Sequence, residues 1–178
     1  MDLTEKRLSS KTVFEGRVMT VTVDEISVPN GARSTREVVH TSGGVVILPV
    51  DGEGRTRLVR QFRYAHSKAL LEAPAGKLEK GEEPLPAAVR ELKEETGLTA
   101  EEVIPLGAIV TTPGFCTEVL YLFLARGLTQ GETDFDEDEF LEIESYGMDE
   151  VKKLILENEI TDAKTVAIYM KAAAFLEK

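Results

Sequence analysis

The chain contains few of the residues that most often mark thiol, disulfide or imidazole chemistry. Its 178 residues include one cysteine, two histidines and no tryptophan. A single cysteine, Cys116, excludes an intrachain disulfide and any metal site built from several thiolates. We interpret Cys116 as a small buried hydrophobic residue. His40 and His66 are as compatible with ordinary polar positions as with chemistry, and we assign neither a role.

Basic charge and long apolar runs are also scarce. There are 21 Lys and Arg against 32 Asp and Glu, a formal net charge of -11 at pH 7. Because nucleic-acid polymers are bound through basic surfaces, we do not expect one as a partner. No apolar run reaches bilayer length, and the first residues lack the apolar centre of a secretion signal. We expect no membrane association and a cytoplasmic location, with a small anionic ligand still compatible if metal ions and a few arginines hold it.

The N-terminal part of the chain is predicted to be an antiparallel β-hairpin. Bulky and polar residues alternate over Val13–Val28, which predicts one long strand; Asn30-Gly31 predicts a turn and Ser34–His40 a second strand. Such a hairpin buries too little apolar surface to be stable alone. Residues 1–42 are therefore expected to form a subdomain that docks on residues 43–178 or on another subunit.

The rest of the chain is predicted to have α/β (α+β) character. Predicted strands are Val45–Val50, Arg57–Phe62, Leu70–Ala73, Ile104–Thr111, Val119–Ala125 and Leu141–Tyr146. The unbroken aliphatic run of the first of these indicates burial on both faces. A helix is predicted from Asp149 to about Glu157, and another from a cap at Thr161 or Asp162 to about Leu176. This order indicates a mixed sheet with helices on its faces.

The segment Gly76–Leu98 contains the most informative helix. Pro84 and Pro86 suit a first helical turn, and Gly97 suits the left-handed position after the last turn. Apolar residues recur at the i, i+3, i+4, i+7 spacing, which predicts a stripe that faces the core. The members of that stripe are Leu85, Ala88, Val89 and Leu92.

Three carboxylates lie beside the predicted stripe. Glu91 and Glu95 are four residues apart and Glu94 is adjacent. Like charges at this spacing destabilise a helix, so a bound cation would relieve the repulsion. Oxygen ligands of this kind favour Mg²⁺, with Mn²⁺ as a substitute. The alternative interpretation is a solvated acidic face.

The same segment resembles the Nudix hydrolase family. Gly76, Glu82 and the run Arg90–Leu98 match the whole Nudix box, Gx5Ex7REUxEExGU, in which U is a bulky aliphatic residue. A pattern with this many fixed positions is far more specific than a short glycine motif. The resemblance implies the Nudix fold, a mixed β-sheet sandwiched between helices. It also implies a metal-dependent pyrophosphohydrolase that acts on a nucleoside diphosphate linked to another group.

Residues outside the box resemble the ADP-ribose pyrophosphatase branch of that family. Pro113 stands 15 residues after Leu98. The segments QFRY, LLEAPAGKLEKGE, DEDEF and DAKT agree with the same branch. The resemblance implies hydrolysis of ADP-ribose to AMP and ribose 5-phosphate with Mg²⁺, and a homodimer in which the hairpin of one subunit helps to build the base pocket. The alternatives are another substrate, such as an ADP- or GDP-linked hexose, and a non-catalytic nucleotide sensor.

The resemblance further implies roles for single residues of the box. Glu91, Glu95 and the main-chain carbonyl of Ala75 would bind metal. Glu94 would be either a shared ligand or a group that orients the ligands, and it is also a catalytic candidate. The supporting residues are Gly76, Glu82, Arg90 and Gly97. The glycines permit a turn and a helix end. Glu82 would hold the loop or reach a metal through water, and Arg90 would fix the carboxylates by charge-assisted hydrogen bonds.

The resemblance to the ADP-ribose pyrophosphatase branch implies that the water-activating base lies in the acidic loop Glu132–Glu139. Glu139 is the first candidate and Glu137 the second, and a solvated loop is the alternative.

Candidate substrate contacts are distributed over several segments. Arg63 is the candidate for the diphosphate, with Arg36 and Arg60 as weaker candidates. The resemblance places Pro113, Gly114 and Phe115 at the substrate. Adenine requires an aromatic or apolar partner, and the candidates are Phe14, Tyr64 and Phe115.

Overall fold

The computed structural model describes residues 2–135 and 140–177. These residues form α/β structure with mixed sheets, as the sequence predicts. The strands are β1 (Lys6–Glu15), β2 (Thr20–Ser27), β3 (Arg33–His40), β4 (Gly44–Pro49), β5 (Arg55–Arg63), β6 (Lys68–Glu72), β7 (Ala75–Lys77), β8 (Leu98–Val110), β9 (Val119–Gln130) and β10 (Leu141–Gly147). The helices are α1 (Pro84–Thr96), α2 (Met148–Leu156) and α3 (Ala163–Leu176), and a 3₁₀ turn spans Tyr64–His66. No helix in these ranges is both long and apolar enough to cross a membrane.

The first of two compact units contains the residues up to Gly43 together with Val110–Val119. Its sheet is antiparallel in the order β1-β2-β3. The prediction of one strand over Val13–Val28 is wrong, because the Gly16 N–H donates to the Met19 carbonyl (2.9 Å) and closes a turn between β1 and β2. The alternation is in fact broken here, since Glu15-Gly16-Arg17 contains no bulky residue and Val18-Met19 places two apolar residues side by side. Gly16 in this break was the turn signal that the prediction overlooked.

The second unit contains Gly44–Ile109 and the chain from Leu120 onward. A four-stranded mixed sheet has the order β7-β4-β9-β8, with β4 parallel to β9 and antiparallel to β7. A three-stranded antiparallel sheet has the order β10-β5-β6. β8 begins at Leu98, directly after α1, and β9 continues to Gln130. Both strands are longer than predicted. Their added residues lack a regular apolar period, so the sequence pattern did not reveal them.

Strand β4 lies between two hydrophobic clusters, and all six of its residues are buried, as predicted. Val45 and Ile47 pack with Ala87, Ala88 and Leu92 of α1. Neighbouring strand residues point to the opposite face. There Val46 and Leu48 pack in a cluster that includes Val151 of α2 and two residues of α3, Ile168 and Ala172. The sheet is therefore covered by helices on both faces.

Helix α1 begins and ends where the sequence predicts. Pro84 is its first residue, and Gly97 follows its end with φ +69°. The predicted apolar stripe is wrong in part, because Leu85 and Val89 are 46% and 45% exposed. The helix is turned so that Glu91 (8% exposed) and Glu95 (3%) lie on its buried side. Leaving two aliphatic side chains half exposed loses roughly 1 kcal/mol of hydrophobic stabilisation for each. The contacts of the Glu91 and Glu95 carboxylates must therefore offset this loss.

The caps of the later helices differ from each other. Asp162 caps α3, as predicted, because its carboxylate accepts from the Thr165 N–H. The cap of α2 is Gly147, so the predicted cap at Asp149 is wrong. The Gly147 N–H donates to the Glu150 carboxylate instead. Asp149 lies in the first turn, where its negative charge still favours the helix N-terminus.

Candidate active site

The buried carboxylates of α1 lie against the backbone of residues 75 and 76. The Ala75 N–H donates to Glu95 Oε2 at 3.0 Å. The Glu91 carboxylate fills the place where a side chain at Gly76 would stand, since a Cβ there would lie 1.7 Å from Glu91 Oε1. Position 76 therefore requires glycine if Glu91 is to keep this orientation.

One guanidinium, that of Arg90, holds three carboxylates of the box. Its Nε and Nη2 donate to Glu82 at 3.0 and 3.1 Å. Its Nη1 donates to Glu91 Oε1 and to Glu94 Oε2, each at 2.8 Å. The bonds to Glu82 raise the pKa of Arg90 most, with contributions from Glu91 and Glu94. The Arg90 bonds, followed by the Glu79 N–H, lower the pKa of Glu82.

The donor set at this place consists of oxygen atoms. Glu91 and Glu95 supply buried carboxylates next to the main chain at Ala75, and the Glu94 side chain is 33% exposed beside Arg90. Hard oxygen donors of this kind fit Mg²⁺ or Mn²⁺. Within residues 2–135 and 140–177, no three His, Cys, Asp or Glu side chains stand in a metal-binding arrangement. In the structure Arg90 engages Glu91 and Glu94, so metal binding would require it to share them.

Arg63 lies at the end of β5, beside the box. Its Nε and Nη2 donate to the two carboxylate oxygens of Glu72, both at 2.7 Å. The hydrogen bonds to Glu72 raise the pKa of Arg63 most, and the charges of Glu72, Asp162 and Glu95 contribute in the same direction. Arg63 thus lies within range of the charge of Glu95 of α1.

Glu72 and Lys164 are site residues to which the sequence interpretation gave no role. Glu72 is 1% exposed. Burial acts to raise the pKa of its carboxyl, but the Arg63 hydrogen bonds and the Lys164 charge outweigh burial, and the pKa is lowered. A signal was present in the sequence: Glu72 is the one charged residue in the run LLEAPA. A carboxylate in an apolar strand requires a buried cationic partner.

The weaker arginine candidates lie elsewhere and are paired. In the first unit, Arg36 Nε donates to Glu5 Oε2 at 3.0 Å. In the second unit, Arg60 Nη2 donates to Glu144 Oε2 at 3.3 Å. Arg60 and Arg63 are three residues apart on β5, so their side chains leave opposite faces of the strand. Arg60 is therefore not brought to the box.

The loop with Pro113, Gly114 and Phe115 belongs to the first unit. The Val39 N–H of β3 donates to the Phe115 carbonyl (2.7 Å), and the Thr117 N–H donates to the Val39 carbonyl (2.9 Å). Phe115 is 55% exposed. These bonds fix the loop to β3, while its predicted role in substrate binding stays a prediction.

The remaining candidates are distributed as follows. Phe14 is 51% exposed in the first unit, and Tyr64 is 91% exposed in the second. Glu137 and Glu139 lie outside the described residues. The identity of the base and of the aromatic partner for adenine stays a prediction.

Comparison with known families identifies the domains to which these residues belong. Residues 40–167 match the NUDIX domain, which is more than half of the chain, and this chain belongs to the Nudix family. Residues 5–39 match the nucleoside diphosphate sugar hydrolase N-terminal domain. The two matches together identify a Nudix hydrolase that acts on nucleoside diphosphate derivatives.

Individual relatives cover nearly the whole chain. It is 42% identical to an ADP-ribose pyrophosphatase of Bacillus subtilis (strain 168), covering 92% of this chain and 89% of that protein. It is 41% identical to a methanol dehydrogenase activator of Bacillus methanolicus, covering 91% and 89%. A crystal structure of an ADP compounds hydrolase has a TM-score of 0.87 at 22% identity, covering 99% of this chain and 97% of the other. The last comparison confirms the fold.

The contact between Gly76 and Glu91 generates a prediction. A Gly76→Ala variant should lose hydrolytic activity by at least about 100-fold, because the added methyl group displaces the Glu91 carboxylate from an organised site. Hydrolysis of a nucleoside diphosphate sugar in the presence of Mg²⁺ measures the loss. Gly52→Ala is the matched control, since a Cβ at Gly52 meets nothing within 4 Å. Equal activity of the two variants would contradict the assigned contact.

Proposed function

We propose that this chain is an ADP-ribose pyrophosphatase, which hydrolyses the diphosphate bond of ADP-ribose to AMP and ribose 5-phosphate with Mg²⁺. The observation that carries the proposal is the pair of buried carboxylates, Glu91 and Glu95, packed on residues 75 and 76 with Arg63 nearby. The similarity to the Bacillus subtilis ADP-ribose pyrophosphatase over 92% of the chain supports the choice of substrate.

In this proposal, Mg²⁺ would be held by Glu91, Glu95, the Ala75 carbonyl and, as a shared ligand, Glu94. When bound by these residues, Mg²⁺ would supply positive charge to offset the negative charge on the phosphoryl oxygens. Mn²⁺ is expected to substitute, because it accepts the same oxygen ligands. Arg90 orients the carboxylates through its bonds to Glu91, Glu94 and Glu82.

Arg63 would bind the diphosphate directly. Its Nε and Nη2 edge is engaged by Glu72, and the side chain is 39% exposed. The outer edge can therefore donate to phosphoryl oxygens, which a guanidinium matches in shape and charge.

The chemical step transfers the oxygen of a water molecule to one phosphorus while the bridging P–O bond breaks. The departing phosphate keeps the electrons of that bond, and the proton of the water passes to a base. Glu139 is the proposed base and Glu137 its alternative, both in the segment outside the described residues.

We also propose that the protein is a cytoplasmic homodimer. In this arrangement residues 1–42 form the dimerisation subdomain, and residues 43–178 form the hydrolase domain. All ten residues of β1 are exposed, including the apolar Leu8 (50%), Val13 (53%) and Phe14 (51%). A second copy would cover this apolar surface, and the mass in solution would then be twice 19.6 kDa. One cysteine agrees with a reducing compartment.

The substrate is tested with a panel of nucleoside diphosphate compounds. The pure protein with Mg²⁺ should release AMP and ribose 5-phosphate from ADP-ribose with kcat/KM at least about tenfold above that for ADP-glucose or GDP-mannose. Chromatography of the products gives the measurement. The match of residues 5–39 to the nucleoside diphosphate sugar hydrolase N-terminal domain favours a sugar-linked substrate as the second candidate. Cleavage of an ADP- or GDP-hexose without cleavage of ADP-ribose would replace the first.

The base is tested by paired variants. Glu139→Gln should lower kcat by about 100-fold or more while metal binding is retained, because it removes a proton acceptor at nearly constant shape. Glu137→Gln should leave kcat within about threefold of the unchanged protein. Single-turnover measurements at saturating Mg²⁺ isolate the step. The reverse pattern would assign the base to Glu137.

A further inference from the structure

Arg63 is the first member of a network of alternating charges, the charge network, which continues through Glu72 and Lys164 to Asp162. Glu72, in strand β6, accepts both Arg63 bonds and also accepts from Lys164 Nζ through Oε2. Lys164 Nζ donates in turn to Asp162 Oδ2 at 3.0 Å. The Glu72 and Lys164 side chains are 2% and 14% exposed. Two cations and two carboxylates thus alternate from the site to the start of α3.

The charge network fixes one edge of the Arg63 guanidinium. The bidentate pair with Glu72 engages Nε and Nη2, so Nη1 lies on the edge of the guanidinium that Glu72 does not occupy. A carboxylate that holds a single partner can turn about its terminal bond. Lys164 restrains Oε2 from a second direction, so the plane of the Glu72 carboxylate, and with it the plane of the guanidinium, is defined.

The Asp162 end of the charge network is fixed to the core. Asp162 Oδ2 accepts from Thr165 N–H (3.0 Å) and from Thr165 Oγ1 (2.6 Å) at the first turn of α3. Thr165 Oγ1 accepts from the Ala73 N–H at 2.7 Å. The Lys164 ammonium is therefore held at a constant position relative to Glu72. Buried charges of this kind rarely improve stability over apolar residues of the same size, which favours a positioning role over a purely stabilising one.

We propose that Lys164 and Glu72 are positioning residues for substrate binding: Lys164 orients the Glu72 carboxylate, and Glu72 presents the outer edge of Arg63 to the diphosphate. Neither residue touches the substrate. This inference rests on the proposed function only in assigning a diphosphate to Arg63, and it applies to any nucleoside diphosphate compound that the protein cleaves.

The test compares Lys164→Met with Lys164→Arg, using whichever compound of the panel the unchanged protein cleaves. Lys164→Met should raise KM about tenfold, equivalent to about 1.4 kcal/mol, and lower kcat less than KM rises, because Arg63 binds the diphosphate before and during the reaction. The dissociation constant of the methylene-bridged analogue of the same compound should rise by the same factor. Lys164→Arg should restore both values to within about threefold, because the cation is kept. Lys152→Met, at an exposed position of α2, should change neither.

A double-mutant cycle between Lys164 and Arg63 separates a positioning role of Lys164 from general destabilisation of the protein. In an Arg63→Met background, Lys164→Met should not weaken analogue binding further, because the residue through which it acts is absent. Equal loss in both backgrounds, or unchanged binding by Lys164→Met, would overturn the proposal. Should Lys164→Met lose its circular-dichroism melting transition, Glu72→Gln takes its place and must show the same dependence on Arg63. If the unchanged protein cleaves no compound of the panel, the proposed function and this inference both fail; a change of substrate alone leaves the inference standing.

Discussion

The packing of Glu91 and Glu95 onto the backbone of residues 75 and 76 is the contact on which the site depends. It accounts for the orientation of α1, which buries two carboxylates while Leu85 and Val89 stay half exposed. It also accounts for the glycine at position 76, where any side chain would meet the Glu91 carboxylate. In an ordinary amphipathic helix the hydrophobic effect alone would turn the helix further toward burial of Leu85 and Val89. Arg90 stabilises the observed orientation by donating a hydrogen bond to Glu91 Oε1.

The segment from Glu72 to Gly76 is restrained from several directions. The Ala73 N–H donates to Thr165 of α3, the Pro74 carbonyl accepts from the Ile47 N–H of β4 at 2.9 Å, and the Ala75 N–H donates to Glu95 of α1. Helices α1 and α3, which lie on opposite faces of the sheet, therefore hold the same short piece of backbone. This arrangement suits a site that must keep carboxylates, a carbonyl and an arginine in fixed relative positions. It also explains why residues remote in sequence, such as Lys164, act on the site.

The sequence predicted those features that local rules determine. The ends of α1 follow from Pro84 and Gly97, and burial of β4 on both faces follows from its aliphatic run. The residues of the Nudix box are recognised from their spacing in the sequence. The turn between β1 and β2 was missed although it is local, because the break in the alternation at Gly16 was overlooked. The orientation of α1 was missed because it is set by contacts with residues 15 or more positions away. The partnership of Glu72 with Lys164 spans 92 positions, and only the isolated carboxylate in an apolar run hinted at it.

Titration with Mn²⁺, followed by electron paramagnetic resonance, tests most directly whether the α1 carboxylates bind the catalytic metal. The unchanged protein should bind Mn²⁺. Glu95→Gln and Glu91→Gln should weaken binding by about 10- to 100-fold and lower turnover by orders of magnitude while the fold is kept, because each removes a charged ligand at nearly constant shape. Glu53→Gln, in an exposed turn, is the control and should bind Mn²⁺ as the unchanged protein does. Undiminished Mn²⁺ affinity and turnover in Glu91→Gln and Glu95→Gln would contradict the metal site.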